Sequence, residues 1–264
     1  MKIKTIIILL LFCTHLTAWS QVTPDKNITV TVLSFNILHG ATTKGDFNLD
    51  VIAQVIKDAG PDLVALQEVD FKTRRAKNYD LATELGWRTK MASIFGKAMA
   101  YDGGEYGEAV LTKSSILSSR TVSLPFSPGN EPRAALEVTI VLPSGDTISF
   151  VGTHLDHLKN DIDRISQAKK LNEIFSQNRY PTILAGDLND VPGSTPINIL
   201  EKIWTPSYDK ANPPLTFPSD KPIKTIDYVM YFPKNKWKVI DTKVIQDPIA
   251  SDHCAYLVTL ELIH

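Results

Sequence analysis

The hydrophobic period of the chain changes twice in its first well-patterned stretch. Residues 29 to 36 run apolar or alternate (Thr31-Val32-Leu33-Ser34-Phe35) and predict a strand. Leu49, Ile52, Val55, Ile56 and Ala59 then recur at helical spacing until Gly60-Pro61 stops them. Leu63 to Leu66 is a short β-like run ending in Gln67-Glu68. The order strand, helix, strand returns later. Thr147 to Val151 predicts a strand that ends in Gly152-Thr153-His154, and Ile162, Ile165, Ala168, Leu171 and Phe175 mark a helix introduced by Asn160-Asp161. Thr182 to Ala185 predicts the next strand, closed by Gly186-Asp187-Leu188-Asn189. In both units polar residues gather where strands end, the edge at which open α/β sheets bind ligands.

Short β segments fill the space between the units: Met91 to Ala100, Ala109 to Lys113, Ser119 to Leu124 and Arg133 to Leu142. After Asn189 come a short helix near Thr195 to Lys202 and a Pro-rich loop from Thr205 to Pro222. Strands are then expected near Ile226 to Tyr231, Trp237 to Ile245 and Cys254 to Leu260. Strands this dense with few helices predict an α/β four-layer sandwich, two mixed β-sheets packed face to face with helices on the outside. No break in composition divides residues 21 to 264, so one domain is expected there.

The first 20 residues follow a different pattern. Lys2 and Lys4 precede an apolar run from Thr5 to Cys13, and the small residues Ala18 and Ser20 follow. This is the form of a signal peptide, with cleavage expected between Ser20 and Gln21. The apolar run is roughly half as long as a spanning helix needs. A lipoprotein would use Cys13, but Phe12 before it is too bulky for that processing. The expectation is a secreted or periplasmic chain with no transmembrane anchor in its mature form.

Losing that segment removes two lysines and no acid, and the formal charge moves from −1 to −3. So mild a charge gives no global pull toward nucleic acid. Cys254 alone remains, which excludes an internal disulfide. One cysteine and no clustered Cys/His spacing also speak against a soft-metal centre.

Six polar segments stand in order along the chain: Ser34-Phe35-Asn36, Leu66-Gln67-Glu68-Val69, Gly152-Thr153-His154-Leu155, Gly186-Asp187-Leu188-Asn189, Ile226-Asp227-Tyr228-Val229 and Ser251-Asp252-His253. Together they resemble the endonuclease/exonuclease/phosphatase (deoxyribonuclease-I-like) superfamily from about Thr31 to Leu260. The resemblance implies a metal-dependent hydrolase of phosphoesters that uses activated water, with Mg²⁺ or Mn²⁺ as the cation. Phosphoryl chemistry needs a hard cation on carboxylate oxygens, and the resemblance gives that role to Glu68 and Asp252. It gives Asp187 the orientation and deprotonation of water. Asn189 falls two residues on, the strand period that returns a side chain to the same face, although Gly-Asp-Leu-Asn-Asp is also good turn chemistry. Asn36 is expected to orient Glu68 or the phosphate. His154 and His253 are candidates for stabilising charge on phosphorus, His253 with its tautomer fixed by Asp227.

Other positions are open between a chemical and a bland reading. Arg133 is either a phosphate clamp or a strand-end surface arginine. Tyr106 falls on a loop that resembles a substrate-contacting turn of the family, but Glu108 stands where relatives often carry asparagine. Arg74 and Arg75 are anion binders or merely solvated. Trp204 and Phe217 are a lipid- or base-facing rim or a packed loop, and Ser251 reads as a turn residue. His15, His39 and His157 read as structural, and Cys254 as a small buried hydrophobe. Some nuclease relatives carry an acid where this chain has Leu38, so one ligand is missing relative to them. The expected function is a phosphodiesterase or phosphomonoesterase acting as a monomer on a small or lipid-linked substrate. The alternative is a secreted nuclease acting on DNA or RNA. A non-catalytic module of the same fold is disfavoured by the full set of acids, amides and histidines.

Overall fold

The computed structural model describes residues 28–264. In it β1 (Ile28–Asn36), α1 (Leu49–Ala59) and β2 (Leu63–Phe71) form the first strand–helix–strand unit. Then follow α2 (Leu81–Thr89), β3 (Ala92–Tyr101), β4 (Gly104–Thr112), β5 (Ser115–Leu124) and β6 (Arg133–Val141). The second unit is β7 (Thr147–His154), α3 (Ile162–Phe175) and β8 (Thr182–Asp187). The chain continues through α4 (Thr195–Leu200), β9 (Thr205–Pro206), β10 (Asp227–Phe232), β11 (Trp237–Ile245) and β12 (Ala255–Leu262). Each unit closes into a parallel pair, β1 with β2 and β7 with β8, as a helical crossover requires. Antiparallel partners extend them into two six-stranded mixed sheets, ordered β11-β12-β1-β2-β4-β3 and β5-β6-β7-β8-β10-β9.

The period of two decides which side chains meet. Val30 and Val32 of β1, with Ala65 and Val110, face Leu136, Val138, Phe150 and Ile183 of the other sheet and make the central core. The alternate residues Leu33 and Phe35 lie under α1 and α2. Val151 and Leu184 lie under α3 and α4. These four layers are the sandwich expected from the sequence. α1 starts where the Asn48 side chain accepts the Asp50 N–H and stops at Gly60, which is left-handed.

Several elements differ from the sequence reading: β4 starts at Gly104, so Tyr106, expected on a loop, is a strand residue, and Thr205–Pro206 pairs as β9 inside the expected Pro-rich loop. α2 escapes it because nine residues containing Gly86 and Thr83 carry weak helix propensity. The helix forms because Leu81, Ala82 and Leu85 are buried and the Asp80 side chain caps the Thr83 N–H. β2 does not end before Gln67-Glu68 but runs on to Phe71. Its register against β4 jumps from Leu66–Ala109 to Val69–Gly107, so Gln67 and Glu68 together oppose Glu108. That is a β-bulge, and the polar pair that looks like a strand end is a kink inside one. The expected signal peptide and its cleavage point lie outside the described residues. Among the described residues no helix is long and apolar enough to cross a membrane.

One close approach fixes the site. A Cβ on Gly186 would lie 1.9 Å from the Thr153 carbonyl oxygen, so only glycine lets β8 run this close to β7. The result is that His154 and Asp187 are cross-strand neighbours.

Candidate active site

Three adjacent strands of the second sheet end on His154, Asp187 and Asp227, which lie side by side in register. The first sheet brings Asn36 at the end of β1 and Glu68 from the bulge of β2. The loop before β12 adds Asp252 and His253. Except for Asn36 and Asp227, which stand behind the wall, all of these line one cavity of about 520 Å³.

Glu68 is held in a left-handed conformation (φ 59) by the bulge, which aims its carboxylate at the cavity. Asn36 Nδ2 donates to Oε1 at 3.2 Å, and His39 Nδ1 lies 3.3 Å from Oε2. Burial works against the charge, yet the His39 contact, the nearby His154 and the Asn36 amide outweigh it and hold the Glu68 pKa at about 2. Asp252 shifts the other way, raised by burial and further by the Glu68 charge.

Asp187 accepts the Asn189 backbone N–H at 2.9 Å and the Asn36 amide at 3.2 Å. Burial pushes its pKa up to about 7, with the Asp227 charge adding and His253 opposing. His253 Nδ1 sits 3.1 Å from both Asp227 oxygens, and its Nε2 is 3.6 Å from Asp187. Burial disfavours its proton, but Asp227 and Asp187 win and raise the pKa to about 10. His253 is thus an imidazolium between two carboxylates. Ser251 Oγ accepts the His253 N–H and donates to the Asn36 carbonyl, the supporting turn expected of it.

His154 is the opposite case. Burial, and next the Arg133 charge, depress its pKa well below the usual histidine value. Arg133 Nη1 lies 3.0 Å from His154 Nδ1, and a guanidinium can only donate. Nδ1 therefore accepts, and the ring proton sits on Nε2, whose acceptor is Asp187 Oδ2 (3.4 Å), while the Asn189 side-chain amide, 2.9 Å away, donates to the Leu155 carbonyl (3.0 Å). Asn189 reaches this place by a left-handed turn after β8 (φ 51), not by continuing the strand. Asn189 thus stands on a turn and also lines the cavity.

Arg133 is 2% exposed, which excludes a surface arginine. Its Nη2 meets Glu131 (2.9 Å) and His157 (3.0 Å). Tyr106 lines the cavity beside Tyr101 and Arg75. Arg75 is clamped on Asp70 and faces the cavity, whereas Arg74 points outward to Asp102. Trp204 is no rim residue, since it is buried between Phe175 and Phe232. Phe217 lines the cavity against the His253 ring. Cys254 is buried, as expected. Glu108 lies wholly buried with both oxygens unpartnered, and burial holds its proton well above the usual range. His39 and His157, read as structural, both reach the cavity. The spacing of His39, three residues past Asn36 and just before Gly40, was the one available signal.

Asp187, Asp227 and His253 offer ligand atoms within 4.8 Å of one another, a grouping that could hold a metal ion only if His253 gave up its proton. Glu68 and Asp252 line the same cavity. Acids, amides and histidines gathered at aligned strand ends of two packed sheets define a hydrolase of phosphoester bonds. The chain belongs to the Endonuclease/Exonuclease/phosphatase family, whose model matches residues 33–253. It is similar to an endonuclease/exonuclease/phosphatase family protein from Bacteroides thetaiotaomicron, with a TM-score of 0.74, 19% identity and coverage of 91% of this chain and 100% of that one. It is similar also to a mannosyl-6-phosphatase from Bacteroides thetaiotaomicron VPI-5482 (TM-score 0.71, 20% identity, 88% and 99% covered). The human Nocturnin catalytic domain with bound sulfate anion superimposes with a TM-score of 0.68 at 19% identity (89% and 94% covered). At these identities the likeness is one of fold.

Proposed function

We propose that this chain is an exported, monomeric phosphoesterase that hydrolyses a small or lipid-linked phosphoester with Mg²⁺ or Mn²⁺ as its cation. The observation that carries the reading is the set of groups lining one cavity: the carboxylates of Glu68 and Asp252 together with Asp187, His154, Asn189 and His253. Two carboxylates whose charges oppose each other across a half-buried wall fit a hard divalent cation, because it removes that repulsion. The bound cation supplies Lewis-acid polarisation of the phosphoryl oxygens. Asp187 orients the attacking water and takes its proton. The His253 imidazolium, the Nε2–H of His154 and the Asn189 amide donate to the oxygens on which charge builds. Asp227 keeps His253 protonated and turned inward. A mannosyl-6-phosphatase among the similar structures supports a compact phosphoester, as does the low net charge.

EDTA is expected to abolish turnover of a chromogenic phosphoester, and Mg²⁺ or Mn²⁺ to restore it. Turnover of small esters should fall only shallowly with salt, and long duplex DNA should be cut poorly. EDTA-resistant activity would remove the metal from the mechanism; efficient duplex cleavage with a steep salt slope would turn the assignment to the nuclease.

The pH profile follows from the same groups. Asp187 must be unprotonated to take a proton, so activity is lost as pH falls through its pKa, about 7 in the metal-free protein. His253 must be protonated to donate, so activity is lost as pH rises through about 10. The kcat/KM profile is therefore expected to be a bell. An unchanged acid limb in a folded Asp187→Asn protein would show that Asp187 is not the base.

A further inference from the structure

His39 enters the cavity by a costly route. Leu38 (φ 46) and His39 (φ 47) are consecutive non-glycine residues in the left-handed region, and Gly40 (φ 85) follows. Such a pair persists only where the surroundings over-determine it. Here the Leu38 N–H donates to Asn36 Oδ1 at 3.1 Å, and the N–H groups of Gly40 and Ala41 donate to the Ile37 and Leu38 carbonyls. Asn48 N–H closes on the Gly40 carbonyl, and Gly40 is packed so tightly that a Cβ would come within 2.8 Å of the Phe47 ring.

The turn has a visible product. It places His39 Nδ1 3.3 Å from Oε2 of Glu68, a residue itself left-handed inside the β2 bulge. Two strained segments from different strands thus meet in one contact. Asn36 links them, because its Oδ1 anchors the His39 turn while its Nδ2 holds Oε1 of the same carboxylate. The histidine side chain is 28% exposed and lines the cavity, so it is not a satisfied core residue.

We propose that His39 is a positioning residue of the cation site, fixing Oε2 of Glu68 by an Nδ1–H bond while Asn36 fixes Oε1. The inference rests on the proposed role of Glu68 as cation ligand. The carboxylate then stands aimed at the cavity before a cation arrives. Groups that orient a ligand in this way typically change metal affinity by about 10- to 100-fold when removed.

The test is Mn²⁺ binding to the full chain, read from the electron paramagnetic resonance signal of free Mn²⁺, with melting of the metal-free proteins in parallel. His39→Ala is expected to weaken Mn²⁺ binding by about tenfold or more. His39→Gln keeps an N–H for Oε2 and is expected to recover most of that loss, and neither should lower the metal-free Tm appreciably. Equal binding by His39→Ala and the unaltered chain overturns the proposal while leaving Glu68 as a ligand. A folded His39→Gln as weak as His39→Ala overturns it too. Failure of the unaltered chain to bind Mn²⁺ overturns the cation reading, and this proposal with it.

Discussion

Glu68→Gln is expected to lower kcat/KM by about 10³-fold, or ~4 kcal/mol of transition-state stabilisation, with the fold retained. The glutamine has the same shape and can still accept from Asn36 Nδ2, while its amide N–H can bond His39 only with Nδ1 unprotonated. What it loses is charge. The carboxylate is kept ionised down to about pH 2, so at working pH it always presents an anion to the cavity. A neutral amide binds a hard cation poorly, and that loss appears in the step where the phosphoryl oxygens need polarising. Steady-state kinetics with Mg²⁺ and Mn²⁺, alongside circular dichroism and Mn²⁺ titration, checks this. Near-normal turnover in a folded Glu68→Gln protein sinks the assignment.

The second large effect concerns Asp227 and His253. Asp227→Asn and His253→Ala are each expected to cost about 10²- to 10⁴-fold in kcat. The double variant should lose little more than the worse single one. The reason is geometric: Nδ1 of His253 is 3.1 Å from each Asp227 oxygen, and the histidine is the member that faces the cavity. Without its imidazolium, Asp227 has nothing to hold. Without Asp227, one of two carboxylates sustaining the proton is gone, and Asp187 remains only at 3.6 Å. Groups acting as a unit are non-additive, so a double-mutant cycle measures the dyad directly. If the two losses multiply, the residues act separately. Both groups are buried, and breaking a buried pair costs about 3–5 kcal/mol of stability, so unfolding midpoints belong beside the kinetics.

Much of this protein is carried by local pattern. The period of two in β1 and the period near 3.6 in α1 state which faces are buried, and the structure uses those faces. Gly60 ends α1 as its position implies. The polar segments at strand ends locate the site because backbone pairing stops there and side chains are freed to converge. Other features had no local cause. α2 owes its helix to the sheet beneath it, so its sequence looks too weak. The bulge at Gln67-Glu68 and the turn at Leu38-His39 put non-glycine residues in left-handed conformations that their own propensities oppose. Burial made Arg133 a partner of His154 and made Trp204 core. The protonation of Asp187, His253 and His154 depends on which charges lie within a few ångströms across strands distant in sequence. Sequence alone determined the layers, because hydrophobic period is a local property, and it singled out most of the polar side chains that line the cavity. Charge state, backbone strain and the place of His39 are sums over neighbours, and only the closed tertiary structure decides who the neighbours are.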